Sequence, residues 1–203
     1  MNLDKLETGD IILFNNTSDD GYFKYFSDLL RFGTHSNYTH IGMVLKDPTF
    51  FNKNLTGLYF WESSWENIPD AQDNEIKLGV QIVPLKDVIE KNKDIMIARK
   101  VNCDNNLFND KVLKSINDVV HNKPYDIIPK DWLYAFLKRD NNPQKIDRFW
   151  CSALVGYIYT KVGILHESTD WSILRPCDFA LNSENLSFNK DCSLSNDEFL
   201  INK

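Results

Sequence analysis

The sequence predicts an α+β fold, and three observations carry that prediction. Short β-branched and apolar runs crowd the first half of the chain, segments with helical spacing crowd the second, and no Pro/Gly/Ser-rich linker divides the 203 residues. One domain over residues 1–182 follows, with a polar, Asn-rich tail over 183–203 that is expected to be loosely held.

Each element has a local reason. Residues 10–14, with Ile11, Ile12, Leu13 and Phe14 behind Thr8-Gly9, form an apolar run of strand length. Over 22–32, Phe23, Phe26, Leu29 and Leu30 share one helical face, and Gly33 stops the run. Residues 38–46 are a second strand, in which Ile41, Met43 and Leu45 form a core face while His40, Gly42 and Val44 point the other way. Strands are expected at 57–62, 80–84 and 94–100, with a short helix over 85–91. Helical spacing then predicts helices over 106–121, 130–139 and 148–161, and a shorter one over 173–181.

Composition narrows the function. The net charge is −6 with both signs interspersed, which gives no basic footprint for nucleic acid. No apolar run approaches the ~18 residues of a membrane span, although an aromatic content of 13% leaves peripheral membrane contact and a lipophilic cleft open. The N-terminus lacks a basic-then-apolar leader, so the expectation is a cytoplasmic protein with reduced thiols. Cys103, Cys151, Cys177 and Cys192 show no zinc-like spacing, nor do His35, His40, His121 and His166, so no metal or other cofactor is expected. The enrichment in Asn, Lys, Asp and Ile fits an AT-rich genome, that of a low-GC bacterium, a protist or a large DNA virus.

Two segments suggest chemistry. In Phe149-Trp150-Cys151-Ser152-Ala153-Leu154-Val155 a thiol stands where a helix begins. Unpaired N–H groups and the positive end of the helix dipole favour thiolate there, and such settings bring a cysteine pKa from ~8.5 into the ~3.5–7.5 range. In Tyr38-Thr39-His40-Ile41-Gly42-Met43-Val44 an imidazole projects from the strand face opposite Ile41 and Met43. Glu62 ends the next strand, among aromatics. Taken singly, each has a plain alternative: a small buried hydrophobe, a structural histidine, a solvated strand-end charge.

The order His, Glu, Cys resembles that of the circularly permuted papain-like hydrolases of the NlpC-type superfamily, which includes YiiX-like bacterial enzymes, lecithin:retinol acyltransferase and poxviral relatives. Thr8-Gly9-Asp10-Ile11-Ile12-Leu13-Phe14 resembles the opening strand, Tyr38–Val44 the histidine strand, and Phe60-Trp61-Glu62-Ser63 the acidic strand. Lys123-Pro124-Tyr125-Asp126 resembles the turn before the nucleophile, and Phe149–Val155 the cysteine helix. The likeness covers roughly residues 8–160, extending through Arg175-Pro176-Cys177-Asp178 to about 180. The polar stretch near 47–56, the 104–122 region and the tail depart from the pattern and leave the substrate open.

The resemblance implies a permuted papain-like fold, an antiparallel sheet or small barrel packed against the helix that carries the nucleophile. It implies a metal-independent thiol hydrolase, peptidase or acyltransferase acting on an amide, ester or thioester of a lipid-acyl or peptide substrate. Cys151 would attack the carbonyl, His40 would move the proton, and Glu62 would orient the imidazole. The backbone N–H of Cys151 is the natural oxyanion donor. Tyr38, two residues before His40, would add a phenolic hydrogen bond or simply pack at the strand start. His35 is the rival base and Cys177 the rival nucleophile; Asp10 is expected to organise a turn. Trp61, Trp65, Trp150 and Trp171 either wall a cleft or fill the core. The alternative to an enzyme is an inactive papain-like module kept for binding or host interaction.

Overall fold

The computed structural model describes residues 3–15, 37–126 and 146–201, and its architecture is α+β. Strands β1 (Ile11–Asn15), β2 (Tyr38–Lys46), β3 (Leu58–Ser64), β4 (Gly79–Pro84) and β5 (Ile95–Arg99) fall where the sequence places them. Helix α1 (Leu85–Lys91) connects β4 to β5. Among the described residues, the short strands β6 (Val101–Asn102), β7 (Ser193–Leu194) and β8 (Phe199–Leu200) and the helices α2 (Asp110–Val120) and α3 (Cys151–Val162) complete the set of strands and α-helices. The helices expected over 22–32 and 130–139 lie outside the described residues.

The main sheet is antiparallel, in the order β4-β3-β2-β1-β5-β8, and among the described residues it is open rather than a closed barrel. One face carries Leu13, Ile41, Met43 and Trp61 against α2 and α3. The other carries Ile12, Phe14, Val44 and Phe60 against Leu85 and Val88 of α1. Both faces are covered, which explains why β1 reads as an unbroken apolar run instead of an alternation.

Three boundaries move, each for a local reason. The helix expected over 106–121 is interrupted because Asp104 caps a 3-10 turn at Asn105–Phe108 and Asn109 then caps α2, its side chain accepting from the Val112 N–H at 3.1 Å. The helix expected from 148 begins at Cys151, since Phe149 is held extended beside Tyr125. The helix expected over 173–181 is two 3-10 turns, Trp171–Ile173 and Pro176–Phe179. Pro176 disfavours a helical residue before it, and Arg175 is extended at φ −115°, ψ 156°.

The tail is tied down, contrary to expectation. β8 pairs with β5 and β7 with β6, and Cys192 is joined by a disulfide to Cys103, their Cα atoms 4.5 Å apart. The expectation of four reduced thiols is corrected accordingly; Cys151 and Cys177 are the cysteines outside the disulfide. Nothing in the sequence spacing marked this pair, because its partners are 89 residues apart.

Candidate active site

A split in the sheet creates the site. β2 and β3 pair from Lys46↔Leu58 to Met43↔Trp61 and no further. Beyond that point β2 continues along β1 to Tyr38, while β3 continues along β4 to Ser64. The two strands therefore part just where β2 carries His40 and β3 carries Glu62. The side chains meet across the opening, His40 Nε2 to Glu62 Oε2 at 2.6 Å. Glu62 is fully buried and His40 is 16% exposed at its side chain. Phe14 and Phe60 set their rings edge-on around the imidazole, with centroids 5.0 and 6.3 Å away. Gly42 makes that arrangement possible, since a Cβ there would collide with the Phe60 ring.

The start of α3 is anchored from both sides. Ser63 Oγ donates to the Phe149 carbonyl at 2.7 Å, fixing the residue two before the thiol. Trp150 Nε1 and Ser152 Oγ both donate to the Leu174 carbonyl, at 3.2 and 2.7 Å. Phe149 stacks on Trp171 with centroids 5.6 Å apart. Gly156 lets this segment approach, because a Cβ there would press on Leu174 and Trp171. Trp150 is the N-cap residue and gives the helix no side-chain cap, so the first-turn N–H groups keep their partial positive charge beside Cys151.

Cys151 lies beside both His40 and Tyr125, near enough for its sulfur to raise the pKa of each. With Nε2 committed to Glu62, Nδ1 is the ring nitrogen left to serve a sulfur. Burial pulls the His40 pKa down, but the hydrogen bonds and charges of Cys151 and Glu62 outweigh it and hold the imidazole well above the ordinary histidine value. Burial also raises the Tyr125 hydroxyl well above the ordinary tyrosine range, with the charges of Cys151 and Asp126 adding to it, so the phenol keeps its proton and can donate.

Three of the residues singled out in the sequence thus converge: Cys151, His40 and Glu62. Tyr38 does not join them. A bulge falls between Phe14 and Asn15, opposite Thr39, so the simple alternation that put Tyr38 and His40 on one face fails there. Its hydroxyl lies on Glu198 of the C-terminal segment, 3.2 and 3.3 Å from the two carboxylate oxygens, and burial with that charge raises its pKa to about 12. The phenol at the sulfur is Tyr125 instead. The turn motif contained it, but only the Tyr125↔Phe149 bridge reveals where it stands.

The remaining candidates separate cleanly. His35 lies outside the described residues. Cys177 sits in the 3-10 turn Pro176–Phe179. Asp10 does organise the opening turn, its carboxylate accepting from the Glu7 N–H at 2.9 Å and the Val101 N–H at 3.0 Å and pairing with Lys100 at 2.7 Å. Trp61, Trp150 and Trp171 are buried, whereas Trp65, just past β3, is 47% exposed.

Among the described residues, ligand-type atoms gather in two places. Asp70, Asp73 and His121 form one cluster, where the Lys77 ammonium already bridges Asp70 and Asp73 at 2.8 and 2.7 Å. His40, Glu62 and Glu66 form the other, where the short Nε2–Glu62 hydrogen bond accounts for the closest contact. No protein-family model matches the chain, and a comparison with curated proteins finds no match.

Proposed function

We propose that this protein is a cysteine-dependent hydrolase or acyltransferase, acting on an amide, ester or thioester, with the chain arranged as a permuted papain-like fold. The observation that carries the reading is the line Cys151–His40–Glu62: a helix-start sulfur, an imidazole beside it whose pKa it raises, and a fully buried carboxylate on Nε2 of that ring. This is the arrangement a nucleophile, a base and an orienting acid require.

The chemistry follows from the positions. His40 takes the thiol proton, and the imidazolium is stabilised on one side by the thiolate and on the other by Glu62. The thiolate adds to the substrate carbonyl, and the developing oxyanion has the first-turn N–H groups of α3 and the Tyr125 hydroxyl as nearby donors. His40 then gives its proton to the leaving amine, alcohol or thiol as the carbon–heteroatom bond breaks. Water or a second acceptor, deprotonated by His40, releases the acyl group and restores the thiol.

One observation favours the inactive-module reading: Cys151 is only 2% exposed, so a substrate must displace what covers the sulfur. Electrophilic probes separate the two. A lipid ester, a peptide amide and a ubiquitin-like thioester analogue are each offered to the folded protein, and modified residues are read by mass spectrometry. At least one probe class is expected to label Cys151 in preference to Cys177. Equal labelling of both by every class would leave the binding module as the better account.

A further inference from the structure

Behind Glu62 stands a second carboxyl group that this chemistry does not use. Glu66 follows the end of β3 by two residues, and a carboxylate oxygen of Glu66, one of Glu62 and a ring nitrogen of His40 all lie within 4.8 Å of one another. The two acids are also joined through neutral groups. Ser64 Oγ donates to Glu66 Oε1 at 3.3 Å, and Gln81 Nε2 reaches both Ser64 Oγ at 3.3 Å and Glu62 Oε1 at 3.2 Å. Gln81 is fully buried and lies directly across the β3–β4 ladder from Glu62. The carboxylate that orients His40 therefore belongs to a network whose far end is another acid.

We propose that Glu66 is a positioning residue of the Cys151–His40–Glu62 centre, a second carboxyl group linked to Glu62 through Gln81 and Ser64 whose ionisation strengthens the hold on the His40 imidazolium. The inference rests on the thiol–imidazole reading of the site and deepens it.

The surroundings fix the direction of the effect. Glu66 is faced by Glu62 and Ser64 from β3, by His40 from β2, by Gln81 from β4 and by Asp94 from the turn before β5. Cys151 faces His40 and Tyr125. The nearby cation of α1, Lys91, donates to the Asn67 carbonyl at 2.7 Å. Burial pushes the Glu66 carboxyl up to about 7; the charge of Glu62 adds to this, and the charge of His40 and the Ser64 hydroxyl oppose it. Below that pH Glu66 is a neutral acid, and Glu62 alone faces the ring. Above it a second negative charge appears near the ring, so the imidazolium survives to higher pH.

Histidine-labelled protein tests this by NMR titration of the ring nitrogens, with the His40 signal assigned from a His40→Asn sample. Glu66→Gln keeps the shape and the Ser64 contact but cannot ionise. The His40 midpoint is expected to fall by about one pH unit in this variant, while His121 and His166 stay in place. A His40 midpoint equal to wild type overturns the proposal. Should Glu66→Gln not fold, Ser64→Ala reads the same link: it removes the donor to Glu66, and the step that Glu66 ionisation imprints on the His40 signal is expected to move to higher pH. An unmoved step, or none, also overturns it. Cys151→Ser in parallel distinguishes the two levels of failure. If Cys151→Ser lowers the His40 midpoint but Glu66→Gln does not, only the Glu66 role is wrong. If Cys151→Ser has no effect either, the thiol–imidazole pairing itself is wrong.

Discussion

Under the proposed chemistry, Cys151→Ala is expected to end covalent turnover while leaving the domain folded. On any substrate found with the probes, the acyl-enzyme should vanish, and the steady-state rate should fall by about 10⁴-fold or more, since the sulfur beside His40 is lost and the carboxylate on its other side, Glu62, is engaged by the ring. Only one sulfur is removed, from a site bounded by Tyr125 and the first turn of α3, so thermal unfolding should change little by comparison. Rapid-quench detection of the acyl-enzyme, run beside a melting curve, checks both halves. Retained acylation would pass the nucleophile role to another residue, Cys177 first.

Replacing His40 has the second largest effect and a characteristic pH signature. His40→Ala removes the proposed acceptor of the thiol proton and strands Glu62, fully buried, with Gln81 as its remaining side-chain hydrogen-bond neighbour among the described residues. Acylation should fall by about 10³-fold or more, and stability should fall too, by about 3–5 kcal/mol for an uncompensated buried charge. His40→Asn, which can still donate to Glu62, should recover much of the stability and none of the rate. In the wild type the folded His40 pKa lies above the ordinary histidine value. Its contribution to stability is thus fully present below about 6.5 and is lost as pH rises through the raised value. Denaturation measured from pH 6 upward should show that alkaline loss in wild type and a flatter profile in His40→Asn.

The sheet strands and the three converging residues were legible because each rests on local pattern. β2 and its alternating core face follow from Ile41, Met43 and Leu45, and the helix start at Cys151 is off by three residues from the expected boundary only because Phe149 bridges to Tyr125. What stayed hidden depends on contacts between distant segments. The bulge that turns Tyr38 toward Glu198 is set by β1, and no pattern within β2 announces it. The Cys103–Cys192 pair and the docking of β8 on β5 join the middle of the chain to its end. Gln81, Ser64 and Glu66 read as ordinary polar positions until β3 and β4 are placed in register. The polar tail is held by strand pairing, a covalent bond and scattered apolar contacts from Leu186, Phe188, Leu194 and Ile201, and composition cannot register that.

Thiol reactivity tests the central claim most directly, with no substrate required. Cys151 and Cys177 lie outside the disulfide, so each molecule carries its own comparison. Rates of iodoacetamide modification are followed by peptide mass spectrometry from pH 5 to 9, for wild type and His40→Asn. The account predicts that at pH 6 Cys151 reacts about tenfold or more faster than Cys177 despite being the more buried thiol, and that His40→Asn abolishes the difference. Equal rates at pH 6 in wild type, or a Cys151 advantage that survives the loss of His40, would contradict it.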